Sequence, residues 1–179
     1  MLACLRGVAV RGPVVGRDHL YVLVRDWLGP PAPVERSAAL AELARRFLRG
    51  HGPADERDLA KWAGLTLRDA RAGFGAIASE LDRAARPVDS PLPEPRLLGS
   101  WDPVLLGWRS REPILGRHAD AVITGGLFRP FALVDGRAAA TWSLVNGTPE
   151  LSPLRRLRRA ERLALDADAV DVVRFLSGA

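Results

Sequence analysis

Residues 52–83 contain the pattern that most restricts how this chain can fold. A Gly-Pro pair ends the preceding helical pattern, and Asp55 offers a side-chain oxygen that can cap a short helix. A turn at Gly64 follows, and Thr66 caps a longer second helix. The apolar residues of that second helix recur at steps of three and four: Leu67, Ala70, Phe74, Ile77 and Leu81. This order is the helix-turn-helix pattern, which predicts nucleic acid as a partner.

The surface of the second helix supports two interpretations. Arg68 and Arg71 near its start can contact DNA, but acidic residues on the same side cancel its charge. Gly73 and Gly75 predict a nearly bare surface, whereas a helix that reads bases usually offers Arg, Asn or Gln. Either the helix contacts DNA through its two arginines, or it only packs within a scaffold.

The rest of the chain predicts further regions around this pattern. Residues 1–30 resemble the β-hairpin tail of a preceding winged helix, because two apolar strand patterns surround a Gly/Pro-rich turn. A helix capped by Ser37 completes a winged-helix domain over residues 31–90, and the proline-rich residues 86–96 form an extended connector. Residues 91–179 predict a β-rich, barrel-like domain with a C-terminal helix. The predicted class is therefore α+β: a winged helix-turn-helix domain, then a small β-barrel-like sheet with a C-terminal helix.

The clearest strand signal in residues 91–179 is a hairpin. Residues 131–134 and 137–145 are separated by Asp135-Gly136, and Asn146-Gly147 begins a second turn. The final helix is expected over Arg159 to Leu176. The residues expected to face inward on this helix are Leu165, Ala169, Val172, Val173 and Leu176.

Positive charge is concentrated before and within the start of that last helix. Five arginines with Glu161 supply +4 of the net charge of +5: Arg155, Arg156, Arg158, Arg159 and Arg162. Such a cluster can neutralise phosphates, although a solvated helix start is an equally good interpretation. Further arginines lie beside aromatic residues, an arrangement that suits phosphate and base contacts. We expect Trp101 and Trp108 to be core residues. The predicted DNA-binding residues are Arg68, Arg71, Arg109, Arg111, Arg129, Arg155, Arg156, Arg158 and Arg159.

Other site chemistry is weakly supported. The three histidines (His19, His51 and His118) lie far apart in sequence, so no metal site is predicted, and no cofactor motif occurs. Cys4 is the only cysteine, and no apolar run reaches membrane length, which favours a cytoplasmic protein with no membrane partner. Four carboxylates of the β-rich region can form an acid/base pair if folding joins them, but turn chemistry is the simpler role for Asp102 and Asp135. These four are Asp102, Glu112, Asp120 and Asp135.

Five stretches occur in an order that resembles a known family. They are RGPVVGRDHLYVLVRDWL, FLRGHGPADERDLAKWAGL, LLGSWDPVLLGWRSR, GLFRPFALVDGRAAATW, and PLRRLRRAERLAL with VVRFL. The chain resembles the carboxy-terminal half of the AlkZ/YcaQ-type family of winged-helix DNA glycosylases. The resemblance implies tandem winged helices that hold duplex DNA on a basic concave surface, followed by a small β-barrel. It also implies excision of alkylated or crosslinked purines without a metal or organic cofactor. Asp102 and Arg111 match family positions that bracket the first barrel strand, and Gly136 and Trp142 match its hairpin.

One departure from the family decides the functional expectation. The family's catalytic motif is a glutamine, a hydrophobic residue and a second glutamine or aspartate, in its first winged helix. Excision needs a side chain that positions or activates water beside the sugar, and this sequence contains no glutamine. We therefore expect duplex DNA binding without catalysis, and no catalytic residue is assigned. Two alternatives remain: an interaction module in which a partner chain or second copy covers residues 1–24, and an unrelated enzyme that uses the barrel carboxylates.

Overall fold

The computed structural model describes residues 2–30, 32–81 and 91–178. The chain forms two compact units, residues 1–39 and residues 40–179. Part of the predicted connector, residues 86–90, lies outside the described ranges. Within those ranges, no helix combines the length and the apolar character needed to cross a membrane. The predicted division at residues 30 and 90 stays a prediction.

The first unit is built around a two-stranded antiparallel sheet. Strand β1, Ala9–Val15, pairs with β2, Asp18–Leu23, and the register places Val15 opposite Asp18. Two single-turn helices flank the sheet: α1, Leu2–Leu5, and α2, Val24–Trp27. None of the described residues of this unit is buried, so the apolar side chains of its strands are solvent-exposed or only half-buried.

Helix α3, Arg36–His51, is the first of three helices with a common core. It starts two residues earlier than the sequence predicts, because Glu35 and not Ser37 caps it. The Glu35 carboxylate accepts hydrogen bonds from the backbone N–H groups of Ser37 at 2.6 Å and Ala38 at 3.1 Å. Glu35 thereby satisfies donors that a helix start leaves without intrahelical partners.

The two predicted helices are present and capped as expected. Before α4, Glu56–Ala63, Asp55 accepts hydrogen bonds from the backbone N–H groups of its first turn, and Gly64 ends the helix with φ of 66°. Thr66 caps α5, Leu67–Ala76, which is shorter than the apolar pattern predicts because a 3-10 turn follows it. The buried core shared by α3, α4, α5 and this turn consists of Ala44, Phe47, Leu48, Leu59, Ala70 and Ile77.

Gly73 is buried, so the prediction that it lies on a bare surface of α5 was wrong. A Cβ atom at Gly73 would lie 2.7 Å from the carbonyl oxygen of Leu40 and 3.4 Å from the Cβ atom of Ala44. Gly73 therefore allows the backbones of α5 and α3 to approach closely. Gly75, two residues later, faces open space.

The β-rich part of the second unit begins with β3, Arg96–Leu98. A 3-10 turn at Pro103–Leu105 follows, and four short elements then lead to the main hairpin. They are α6, Glu112–Leu115; α7, Ala119–Val122; β4, Ile123–Thr124; and β5, Leu127–Phe128. Strands β4 and β5 pair with each other, and both residues of the connecting Gly125-Gly126 have positive φ.

The main sheet contains the predicted hairpin. Strands β6 (Phe131–Val134), β7 (Arg137–Val145) and β8 (Thr148–Pro153) join β3 in the antiparallel order β3-β6-β7-β8. The connecting pairs Asp135-Gly136 and Asn146-Gly147 all have φ between 51° and 80°. Such two-residue turns match the twist of the strands.

The sheet is open, and each of its faces covers a separate core. Among the described residues, β3 and β8 are the two edge strands of the sheet and do not pair with each other. The predicted barrel-like sheet is therefore not closed. Ala132 and Val134 of β6 face the final helix, α8 (Arg159–Leu176), whereas Phe131 faces the short elements. This alternation is expected of a strand buried on both sides.

Helix α8 is held to the edge strand by one buried carboxylate. Asp168 accepts hydrogen bonds from the backbone N–H of Leu97 and from the guanidinium of Arg96, both at 2.7 Å. The predicted inward face is correct for Leu165, which is fully buried, but wrong for Leu176, which is exposed.

Candidate nucleic-acid interface

The two arginines of α5 differ in their surroundings. Arg68 is exposed and forms no ion pair with any residue that the structure describes. Arg71 lies with its Nε atom 3.7 Å from Oε1 of Glu56 on α4, so part of its charge is already neutralised. Of the two, Arg68 is the better candidate for a phosphate contact.

The predicted contact Arg109 serves first as an anchor between α4 and the β-rich part. Asp58 accepts a hydrogen bond from the backbone N–H of Arg109 at 2.8 Å, and Lys61 donates one to its carbonyl oxygen at 3.1 Å. The neighbouring Trp108 indole donates to the carbonyl oxygen of His51 at 2.9 Å. The Arg109 guanidinium is half-exposed and 4.0 Å from the Asp55 carboxylate, so it remains accessible. A pocket of about 380 Å³ opens beside Trp108 and Arg109.

Arg111 lies against an aromatic pair. Its guanidinium carbon is 4.9 Å from the ring centroid of Phe128, and its Nε atom donates to the carbonyl oxygen of Leu105 at 2.8 Å. The Phe128 ring also contacts Trp101, with centroids 4.5 Å apart and planes tilted by 42°. Arginine is thus fixed beside aromatic rings, as the sequence pattern predicts.

Trp101 is not a core residue, contrary to the prediction. Half of its surface is exposed, at 50%. Its φ of 63° lies in the left-handed region, where a bulky residue is an outlier. Trp108, by comparison, is half-buried and hydrogen-bonded through its indole.

The arginine cluster at residues 155–159 is divided between paired and unpaired side chains. Glu161 is buried and accepts hydrogen bonds from the Arg155 guanidinium at 2.8 and 3.2 Å. It also accepts from Nε of Arg158 at 2.6 Å, and Arg158 makes a second ion pair with Asp135 at 2.9 Å. Arg156 and Arg159 are exposed, and no described residue forms an ion pair with either.

Glu161 organises the paired side of this cluster, although the net charge counts it only as one negative charge. The hydrogen bond from the Arg155 side chain is the largest cause that lowers its pKa, to about 2, and the Arg158 backbone and side chain add to the effect. The pKa of Arg158 is raised in turn, chiefly by its hydrogen bond to Glu161. Part of the signal was present in the sequence, because a Glu at the third helical position is typical of one half of a capping box. In that half the carboxylate accepts the backbone N–H of the residue before the helix, as Glu161 does from Arg158 at 2.8 Å.

Arg129 follows Phe128 directly and is exposed. Its backbone N–H donates to the carbonyl oxygen of Val122 at 2.8 Å, which fixes its position at the end of β5. No ion pair joins its side chain to any residue in the described ranges. The structure therefore separates the nine predicted arginines into five that are paired or stacked and four without such contacts: Arg68, Arg129, Arg156 and Arg159.

Two of the four carboxylates that were candidates for acid/base chemistry, Asp102 and Asp135, serve turns of the chain. Asp102 accepts a hydrogen bond from the backbone N–H of Val104 at 2.9 Å, which confirms its predicted turn role. Asp135 occupies its turn and also pairs with Arg158. Among the described residues, no group of three or more His, Cys, Asp or Glu side chains is placed to hold a metal ion.

With this geometry established, comparison with known proteins identifies the family. A family model described as "DNA glycosylase AlkZ-like" matches residues 1–175. The chain belongs to the AlkZ-like DNA glycosylase family. The resemblance inferred from the five ordered stretches is thereby confirmed.

This AlkZ-like chain is similar in sequence and in fold to proteins of Streptomyces sahachiroi. An interstrand DNA cross-link repair glycosylase of Streptomyces sahachiroi is 26% identical over 195 residues, which cover 94% of this chain and 52% of the relative. The solved structure of Streptomyces sahachiroi DNA glycosylase AlkZ superposes with a TM-score of 0.76 at 23% identity, again over 94% and 52% of the two chains. The fold is shared, and this chain spans about half the length of the relatives it matches.

Proposed function

We propose that this AlkZ-like chain binds duplex DNA through arginines of residues 40–179 and does not excise bases by itself. The observation that carries the proposal is that four of the predicted arginines, in a chain of this family, are exposed and form no ion pair with any residue in the described ranges. An arginine already paired with a carboxylate must give up that partner to bind a phosphate, whereas an unpaired one releases counterions directly.

Within this proposal, residues 31–90 act as a winged-helix domain. The support is the short helix α4, the left-handed turn at Gly64 and the second helix α5, which carries Arg68 at its exposed start. Positive charge at the first turn of such a helix suits a contact with the DNA backbone. Residues 1–30 would belong to a preceding winged helix, and residues 91–179 would form the third region.

The salt dependence of duplex binding tests this proposal. Each phosphate contact contributes about 0.9 to the slope of log K against log salt. The double variant Arg156→Ala/Arg159→Ala should lower the magnitude of the slope by about 1.8, because it removes two unpaired arginines.

A matched control variant is Arg162→Ala/Arg174→Ala, which removes the same charge from α8. Both arginines are paired at 2.9 Å, with Asp166 and Asp171 respectively. Their removal should leave the slope within experimental error. Equal effects of the two variants would mean that net charge alone drives binding, and immeasurable affinity at low salt would reject the DNA-binding proposal.

The proposed lack of excision rests on the absence of glutamine from the sequence. The chain, in molar excess over a duplex that contains one alkylated purine, should form no abasic site above the rate without protein. Strand cleavage at abasic sites by hot alkali provides the measurement. A protein-dependent product would show that other residues of this chain perform the chemistry.

A second candidate function is an interaction module. It is favoured by residues 2–24, none of which is buried, and by exposed apolar side chains there, such as Val15, Leu20 and Tyr21. Contiguous exposed apolar surface marks interaction sites in soluble proteins. This function predicts that the chain either associates with itself or binds a second chain that corresponds to the part of the relatives it does not match. A monomer in sedimentation experiments that binds no hydrophobic dye would contradict it.

A further inference from the structure

The pair formed by Trp101 and Phe128 has features that its packing role does not explain. Trp101 keeps half of its surface in water and adopts a φ of 63°. Left-handed backbone at a bulky residue is strained and persists where the surrounding structure imposes it, often at ligand sites. Asn, Asp or Gly would occupy this turn without that strain.

The neighbours of Trp101 hold its ring in place and supply positive charge. Phe128 is buried and contacts the Trp101 ring at 4.5 Å. Arg111 lies 4.9 Å from the Phe128 centroid and is itself fixed by the carbonyl oxygen of Leu105. Arg129, adjacent to Phe128 in the chain, has an exposed side chain. An exposed ring on a rigid aromatic base, with a guanidinium against that base, is the composition of surfaces that stack nucleobases.

We propose that Trp101 is a stacking platform for an unpaired nucleobase within duplex DNA, with Arg111 as the cation for a flanking phosphate. This inference rests on the proposed DNA binding and adds the feature of DNA that is recognised. A paired base offers its face only to its neighbours in the stack, so a free tryptophan face selects a base that has left the stack. Arginine beside the aromatic pair compensates a flanking phosphate.

Affinity for two duplexes tests the proposal: one fully paired and one with a single bulged 2-aminopurine nucleotide. Wild-type protein should bind the bulged duplex more tightly and quench the 2-aminopurine fluorescence. The variant Trp101→Gly removes the ring and relaxes the backbone, since glycine accepts positive φ. It should lose about 5- to 150-fold in affinity for the bulged duplex, the range of one base–aromatic stack. Affinity for the paired duplex should change by less than twofold.

Two further variants sharpen this comparison. Trp101→Phe keeps a smaller stacking face and should retain most of the preference for the bulged duplex. Trp27→Ala removes another half-exposed tryptophan, at 55%, from the first unit and should leave the preference unchanged. Unchanged far-UV circular dichroism and paired-duplex affinity of Trp101→Gly show that it is folded.

The outcomes separate this inference from the proposed function. If the paired duplex binds but Trp101→Gly retains the full preference and quenching, the stacking inference is wrong while DNA binding stands. Wild-type protein that binds both duplexes equally without quenching also contradicts the inference alone. If neither duplex binds, both the proposed function and the stacking inference fail.

Discussion

Gly73 gives the sharpest test of how α5 is held against α3. In Gly73→Ala, the new Cβ atom would lie 2.7 Å from the carbonyl oxygen of Leu40. Carbon and carbonyl oxygen normally approach to about 3.3–3.6 Å, so the helices must separate by roughly 0.6–0.9 Å or distort. The neighbour is helix backbone and cannot swing aside. Overpacking of this kind costs about 1–3 kcal/mol.

Gly75→Ala is the matched control, because the same change there meets open space. Both substitutions gain helix propensity, up to about 1 kcal/mol, and Gly75 gains somewhat less because it lies near the end of α5. In the difference between the two variants this gain largely cancels. Gly73→Ala should therefore be about 1–3 kcal/mol less stable than Gly75→Ala.

Thermal unfolding followed by circular dichroism at 222 nm measures this difference. For a chain of this size, 1 kcal/mol corresponds to about 2–4 °C in Tm, so Gly73→Ala should melt at least 2 °C below Gly75→Ala. Equal melting temperatures, or a more stable Gly73→Ala, would refute the close approach of α5 to α3. The position of Arg68 on the exposed side of α5 would then also need revision.

Two other predictions concern Glu161 and Asp58. The pKa of Glu161 is lowered to about 2 from its ordinary value of 4.5, so its stabilising effect is present above pH 4.5 and is lost as the pH falls towards 2. The urea midpoints of wild-type protein and Glu161→Gln should accordingly differ at pH 7 and converge near pH 2. A difference between the midpoints that does not change with pH would contradict the ion-pair explanation. Asp58→Ala removes the acceptor for the backbone N–H groups of Asp55 and Arg109 and should cost about 1–3 kcal/mol in the free energy of unfolding. The control variant Arg57→Ala changes an exposed neighbour, and its free energy of unfolding should stay within about 0.5 kcal/mol of wild type. Equal losses of stability in the two variants would contradict the special role of Asp58.

The elements that local sequence specifies were predictable. Asp55 and Thr66 cap their helices because side-chain oxygens reach backbone donors only a few residues away. The hairpin of β6 and β7 was predictable because Asp135-Gly136 adopts the two positive φ values that its turn needs. Each of these rules acts over four residues or fewer, and a single sequence contains all the information they require.

The features that depend on distant residues were not predictable. Gly73 looked like bare surface, since nothing in its own helix shows that Leu40 lies 2.7 Å away. Trp101 sits among apolar residues in sequence, yet its left-handed backbone directs half of its surface to water. In the sequence, the arginine cluster of residues 155–159 is a run of equivalent positive charges. In the structure, the buried Glu161 pairs with Arg155 and Arg158 and leaves the other two without this partner. Sequence spacing could not decide which arginines are available for DNA.

The hydrogen bonds of Asp168 also constrain the order in which the chain can fold during synthesis. They join Asp168 to Arg96 and Leu97, partners separated by 72 and 71 residues. At about 5–20 residues per second, the ribosome needs roughly 4–14 s to add that length. Throughout this interval β3 has no helix to cover Leu97, and the sheet core lacks Leu165. The three-helix core of α3, α4 and α5 needs no residue beyond Leu81 and can form first. For several seconds the nascent chain can therefore consist of a folded helical core followed by strands that no helix covers. A chaperone or a neighbouring nascent chain would bind the exposed apolar side chains of these strands in that state.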